Sequence, residues 1–358
     1  MKDSQIEQKL KRLLNLLISQ NGSDLHLSAG NYPRIRIDNH LIQVDGEELL
    51  SKTEIEGLAD SILNEDKKNK LRKERQIDFS IDFESDVRFR TNIFFQKGML
   101  SICMRLISDK IKNLEELNLP QSLYNFAQKK QGLFLVVGPN GHGKTTTLAA
   151  LIDYINKNYS KHIVTIEDPI EYSFISEKSL IEQREVYDDA VSFNSALKSC
   201  FREDVDVILV GEMRDLETIS TAITAAETGH LILATLHTND SIQTIDRIID
   251  IFPSNQQNQV RQQLANVLVG VFSQRLIKSI GKGRLPAYEL LINNNAVENL
   301  IRQNQTHQIQ TIMETSFDEG MHSINRSLAQ LVLEGKVKLD EAEGYATDIN
   351  AFNMMLET

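Results

Sequence analysis

The sequence predicts an α/β protein in two parts: a small α+β domain, then a larger domain built on a mainly parallel sheet. Three observations predict it. The chain has 358 residues, enough for two domains, and its 41% hydrophobic and 25% charged content is that of a globular protein. A glycine-rich stretch, GPNGHGKTTT (138–147), follows a short apolar run and precedes helical periodicity. Around it, apolar runs alternate with amphipathic helical patterns, as in parallel strands covered on both faces.

In chain order, residues 1–20 place Leu10, Leu13, Leu14 and Leu17 on one helical face, with Gly22 as the expected stop. RIRID (34–38) alternates like a half-buried strand. VRFRTNIFF (87–95) does the same, setting Val87, Phe89 and Thr91 opposite Arg88, Arg90 and Asn92. The polar stretch SDKIKNLEEL (108–117) reads as a connection. The domains are therefore expected at 1–108 and 119–358, with a hinge over 109–118 and a helical region at the C-terminal end. In the second domain LFLVV (133–137), HIVTI (162–166), DVILVG (206–211) and HLILATL (230–236) read as buried strands. Ser192 is placed to cap a helix with the stripe Phe193, Ala196, Leu197, Cys200 and Phe201. Asp215 is placed to cap another, with Leu216, Ile219, Ile223 and Ala226 inward and Gly229 at its end.

Composition excludes several classes. Cys103 and Cys200, the only cysteines, cannot form a four-thiolate zinc site, and their apolar neighbours suggest buried thiols. No run approaches the roughly 20 apolar residues of a membrane helix. The charged start MKDSQIEQKLKRLL does not fit a signal peptide, so a cytoplasmic location is expected, with membrane association through partners only. The net charge of −11 lies mostly beyond the first domain, and tryptophan is absent. Both features weigh against a nucleic-acid partner.

Gly138, Pro139, Asn140, Gly141, His142, Gly143, Lys144 and Thr145 satisfy G-x-x-x-x-G-K-[ST] at every fixed position, and Thr146 continues the run. The glycines let backbone N–H groups turn toward phosphate oxygens, and the following helix N-terminus adds positive potential. Lys144 is expected on the β- and γ-phosphates of ATP and Thr145 on Mg²⁺. His142, at a variable position, is expected to face solvent. Hydrolysis also needs an acid near the γ-phosphate. Glu167 and Asp168 follow one strand; Glu212 follows another. Ligands in open α/β sheets bind at the carboxyl ends of strands, so both sites can face the loop. Gly211 stands where an aspartate commonly ends this strand, which leaves Glu212 as the candidate to activate water and a possible Mg²⁺ contact.

These stretches resemble the ATPases of type II secretion and type IV pili, and most closely the pilus retraction ATPases of twitching motility. The resemblance rests on the phosphate loop, VTIEDPIEY, QREV, DVILVGEMRD, TGHLILATLHT, DRIIDIFP and SQRL, and spans essentially the whole chain. It implies a PAS-like N-terminal domain, a RecA-like ATPase domain and a homohexameric ring acting on an inner-membrane pilus platform protein. By resemblance Glu167 is the aspartate-box acid, Glu212 the Walker B glutamate, and His230 and His237 the histidine-box residues, with His237 sensing the γ-phosphate. The resemblance also brings Arg88, Arg90 and Arg105 to the nucleotide; a solvated strand face is the plainer reading of the same residues. The retraction motif AIRNLIRE is matched at Asn299, Leu300, Ile301 and Arg302, whereas Glu298 reverses a charge and Gln303 removes one. A main retraction motor and an accessory paralogue therefore both stay open. So do a pilus-assembly or type II secretion ATPase and, from another class, a RecA-like nucleic-acid translocase. Assembly enzymes commonly carry a tetracysteine module and a longer N-terminal region.

Overall fold

The computed structural model describes residues 2–37, 40–84, 87–107 and 110–357. These divide into two compact units, Met1–Lys110 with Asp168–Ser173, and Ile111–Glu167 with Phe174–Thr358. Asp38, Ser108 and Asp109, which belong to the expected strand and connection, lie outside the described residues. Leu114, in the stretch read as polar connection, is fully buried in the second unit's core.

The first unit runs α1 (Lys2–Ser19), β1 (Asp24–Ser28), β2 (Arg34–Ile37), β3 (His40–Gln43), α2 (Lys52–Ile62), α3 (Glu65–Glu74), β4 (Gln76–Phe83), β5 (Val87–Gln96) and β6 (Met99–Ile107). Its antiparallel sheet has the order β3-β2-β1-β6-β5-β4. Leu10, Leu13, Leu14 and Leu17 of α1 are buried, as their spacing predicts. After α1 it is Asn21, with φ 52°, that enters the left-handed region. Gly22 is closely packed instead: a Cβ there would lie 2.5 Å from Leu17 Cδ1 and 3.2 Å from the Leu17 and Arg36 carbonyl oxygens. Period-two alternation sends Leu25, Ile35, Phe89, Ile93 and Met104 into one core. The opposite face carries Asp24, Arg36, Arg88, Arg90 and Arg105, with Arg105 directly opposite both Asp24 and Arg90.

The second unit contains α4 (Tyr124–Ala127), β7 (Gly132–Val137), α5 (Lys144–Asn158), β8 (His162–Glu167), β9 (Leu180–Glu185), α6 (Phe193–Cys200), β10 (Val207–Val210), α7 (Leu216–Glu227), β11 (Leu231–Leu236), α8 (Ser241–Asp250), α9 (Ser254–Val267), β12 (Leu268–Lys278) and β13 (Arg284–Ile292). Helices α10 (Asn295–Arg302), α11 (Ile309–Thr315), α12 (Ile324–Leu333), α13 (Leu339–Glu343) and α14 (Ile349–Leu356) follow. The seven-stranded sheet has the order β13-β12-β7-β11-β10-β8-β9, parallel except for β13. Alternation assigns Leu133, Leu135 and Val137 to one core and Phe134 and Val136 to the other, so β7 is buried on both faces. Ser192 and Asp215 cap α6 and α7 as expected. Phe201 departs from the expected stripe: it follows the end of α6 and is exposed. Cys200 is a buried thiol, but Cys103 lies on the polar face of the first sheet, opposite His26 and Asn92. Among the described residues no helix is long and apolar enough to cross a membrane.

Beta strand β12 bulges between Leu268 and Gly270 where it meets β7. A Cβ at Gly270 would stand 2.6 Å from Phe126 Cε1 and 2.8 Å from the Leu291 carbonyl. Gly270→Val should therefore destabilise the second unit by about 3 kcal/mol through overpacking, read as a lowered unfolding midpoint in a chemical denaturation series.

Candidate functional site

The carboxyl ends of β7, β11, β10 and β8 lie side by side. Leu236 pairs with Val137, and Val210 pairs with both Ala234 and Ile166. Segments far apart in sequence thus emerge at one edge: the glycine-rich loop after β7, Glu167 at the end of β8, Glu212 after β10 and His237 after β11.

The loop needs its glycines. Gly138, Gly141 and Gly143 have φ of 143°, 74° and 87°. A Cβ at Gly138 would lie 2.5 Å from the Gln274 carbonyl oxygen, and one at Gly143 would lie 2.9 Å from Gln274 Nε2. The loop is thus seated hard against β12. Thr147 and Gln274, both buried, add a 2.6 Å hydrogen bond between Oγ1 and Oε1. The SQRL stretch (273–276), which sequence reading could offer only as part of a resemblance, is the wall behind the loop. His142 corrects a sequence expectation. It is half-buried, and its Nδ1 accepts a 2.9 Å hydrogen bond from the Leu276 backbone N–H.

Lys144 is buried, and its Nζ donates to the carbonyls of Gly138 at 2.8 Å and Pro139 at 3.1 Å. It also lies 3.2 Å from His237 Nδ1, and His237 Nε2 lies 3.3 Å from Glu212 Oε2. An ammonium can only donate, so Nδ1 accepts and the ring proton sits on Nε2, directed at Glu212. Lysine, imidazole and carboxylate form one hydrogen-bonded line across three strand ends. The second oxygen of Glu212 takes Arg214 Nε at 2.7 Å. Glu167 is buried; its Oε1 accepts from Thr165 Oγ1 at 2.7 Å and Gln183 Nε2 at 3.3 Å. Gly211 is closely packed: a Cβ there would approach the Ile166 carbonyl to 3.1 Å.

A nucleotide with Mg²⁺ fits this donor set. The tight glycine turns shape a phosphate cradle, while the Thr145 hydroxyl and the Glu212 and Glu167 carboxylates offer the hard oxygens that Mg²⁺ prefers.

Other expected residues are elsewhere. His230 precedes β11, at the end of the strand opposite His237, with Nδ1 3.0 Å from the Ala225 carbonyl. A six-residue strand separates the two histidines, so this chain does not bring His230 to the loop. In the first unit each of the three arginines meets a carboxylate: Arg88 with Asp82 at 3.4 Å, Arg90 with Asp78 at 2.7 Å and Glu171 at 3.2 Å, and Arg105 with Asp24 at 2.7 Å. Burial works against the Arg90 charge, but Asp78, Glu171 and Asp168 outweigh it and hold the guanidinium above its ordinary value. Asp168 itself belongs to the segment grouped with this unit. On the same face Asp24, His26 and Cys103 bring potential metal-ligand atoms within 4.8 Å of one another. The adjacent Arg36 and Arg105 disfavour a cation there, and Arg105 already binds Asp24. On α10, Val297 and Ile301 are buried, and Arg302 donates to Asn266 at 2.7 Å and to Glu298 at 2.8 Å. Asn299 and Leu300 lie on the same helix, Leu300 packing against the core.

The family described as type II/IV secretion system protein matches residues 1–282. The type IV pilus retractation ATPase PilT of Pseudomonas aeruginosa is 42% identical over 93% of this chain and 96% of its own length. The type IV pilus ATPase PilU of that organism is 36% identical over 98% of this chain and 91% of its own. A crystal structure of the pilus retraction motor PilT with bound ADP matches with a TM-score of 0.89 at 44% identity, covering 96% of this chain and 98% of that one. Matches of this extent, running through both units, mean that the chain belongs to the type II/IV secretion system protein family and is closely related to its PilT and PilU ATPases.

Proposed function

We propose that this chain is an ATP-hydrolysing motor that drives pilus retraction in twitching motility. The observation that carries the reading is the Lys144–His237–Glu212 line, which joins the phosphate loop to an acid through one imidazole. The backbone N–H groups of the loop from Gly138 to Thr146 cradle the triphosphate, and the Thr145 hydroxyl would hold Mg²⁺. Lys144 exchanges the Gly138 and Pro139 carbonyls for phosphate oxygens, charge-assisted contacts that are stronger than those it leaves. His237, relieved of Lys144, reports the γ-phosphate to Glu212. Glu212 accepts the proton of the attacking water, and Glu167 polarises the same region. Mg²⁺, when held there, would offset charge on the phosphates.

The family resemblance supports a homohexamer in which Arg88, Arg90 and Arg105 exchange their carboxylates for the nucleotide of a neighbouring subunit. The same resemblance supports a PAS-like reading of the antiparallel first unit. It also supports a cytoplasmic site of action, on an inner-membrane pilus platform protein. Asn299, Leu300, Ile301 and Arg302 belong to the segment we assign to that partner, with Asn299 and Arg302 facing outward and Ile301, which is buried, holding the helix on the core. The charge reversal at Glu298 is absorbed by its ion pair with Arg302, so the helix is kept while its outward charge differs from the retraction motif. That difference keeps an accessory retraction role beside the main one. A pilus-assembly ATPase and a nucleic-acid translocase are the readings to test against.

Glu212→Gln should lower kcat about 10²–10⁴-fold while ATP binding persists, measured by phosphate release and by a fluorescent ATP analogue. Lys144→Ala should lose the binding itself; unchanged turnover in either variant overturns the assignment. Deletion of the gene should abolish twitching with surface pili retained or in excess under electron microscopy. Bald cells would point to assembly, and strong stimulation of turnover by single-stranded DNA would point to translocation.

A further inference from the structure

The phosphate loop is held by more than its own turns. Beta strand β7 ends at Val137, opposite Ser273 of β12, so β12 runs on past its parallel neighbour. Backbone donors on that side have lost their strand partner and need another. The imidazole of His142 supplies one, accepting the Leu276 N–H at Nδ1 over 2.9 Å. Around it Gln274 blocks any side chain at Gly138 or Gly143, and Arg284 Nη1 of β13 lies 3.3 Å from the Gly141 carbonyl. The loop is thus tied to two strands, and one tie is a titratable group next to Lys144 in the sequence, with only Gly143 between them.

Resting on the assignment of this loop to the triphosphate, we infer that His142 is a positioning residue: its neutral ring clamps the phosphate loop to β12 for ATP, and a proton on Nδ1 opens the clamp. An acceptor that takes a proton becomes a donor facing a donor, so the hydrogen bond is lost. The charged groups facing the ring are Arg275 on β12, Arg284 on β13 and Lys144 on α5. All three are cations. Together with burial, which acts most strongly, they push His142 below its ordinary value of 6.5. The neutral ring, and with it the clamp, therefore persists at and below that ordinary value and is lost only as the pH falls through the lowered one. The His142 side chain touches no phosphate; it acts through the loop backbone.

ATP titrations of the full chain from about pH 5 to about pH 8 test the clamp. The KM for ATP of the wild-type protein should rise about two- to tenfold toward acid, the worth of one such hydrogen bond. His142→Ala should show the raised KM at every pH, with kcat changed less. His142→Asn, whose amide oxygen accepts the Leu276 N–H without titrating, should recover most of the affinity and lose the His142-dependent part of the profile. A His142→Ala variant with the wild-type KM and profile overturns the inference, as does a His142→Asn variant that still titrates like wild type. Amide hydrogen exchange at Leu276 needs no nucleotide. Protection at neutral pH that is lost in His142→Ala and, measured against the intrinsic rate at each pH, in acid supports the clamp; an unprotected amide at neutral pH in the wild type overturns it. Slow exchange together with no ATP binding supports the clamp and overturns instead the assignment of the loop to the triphosphate.

Discussion

The site depends on one constraint, the parallel pairing of β7, β11, β10 and β8 in a single register. Parallel strands present their carboxyl ends at the same edge of a sheet. That is why a loop near residue 140, an acid at 167, an acid at 212 and a histidine at 237 become neighbours. The register is strongly specified because both faces of these strands are buried. A slip of one residue would exchange Leu133, Leu135 and Val137 with Phe134 and Val136, two sets that fill different cores. The Lys144–His237–Glu212 line is therefore held by core packing rather than by the hydrogen bonds within it.

The second element is the wall that β12 builds behind the loop. Glycines at 138 and 143 serve two ends: they allow positive φ, and they leave room for Gln274. Substitution there would act through steric collision with a buried strand as well as through backbone strain. Because β13 is antiparallel, the β12–β13 hairpin brings both Arg275 and Arg284 near this edge. A concentration of cations beside a glycine-rich turn suits an anion and disfavours protonation of the imidazole between them.

In the first unit, guanidinium groups are presented in a row by the antiparallel register and each is met by a carboxylate. Partly buried charges are costly without partners. Asp24, which is buried, and Asp78 answer that cost, so any exchange of these arginines onto phosphate must replace a charge-assisted contact with another of similar strength. Glu171, from the segment grouped with this unit, adds one more such contact to Arg90.

Much of this was legible in the sequence. The glycine-rich turn before α5, the caps at Ser192 and Asp215, the α1 stripe and the buried strands within 133–137, 206–211 and 230–236 each follow from local periodicity or local hydrogen bonding, which the chain carries residue by residue. Phe201 was misplaced because a stripe does not say where a helix stops. The polar stretch 108–117 hid a buried Leu114 because burial depends on what lies opposite. Nothing local marks the His142 contact with Leu276 or the close approach of Gly211 to the Ile166 carbonyl; both are made between residues more than 40 positions apart. The sequence alone determined which groups could do phosphate chemistry. The tertiary structure decided which of them meet, setting His237 beside Lys144 and leaving His230 at the far end of the same strand, because a strand has two ends and only the packed sheet decides which one faces the loop.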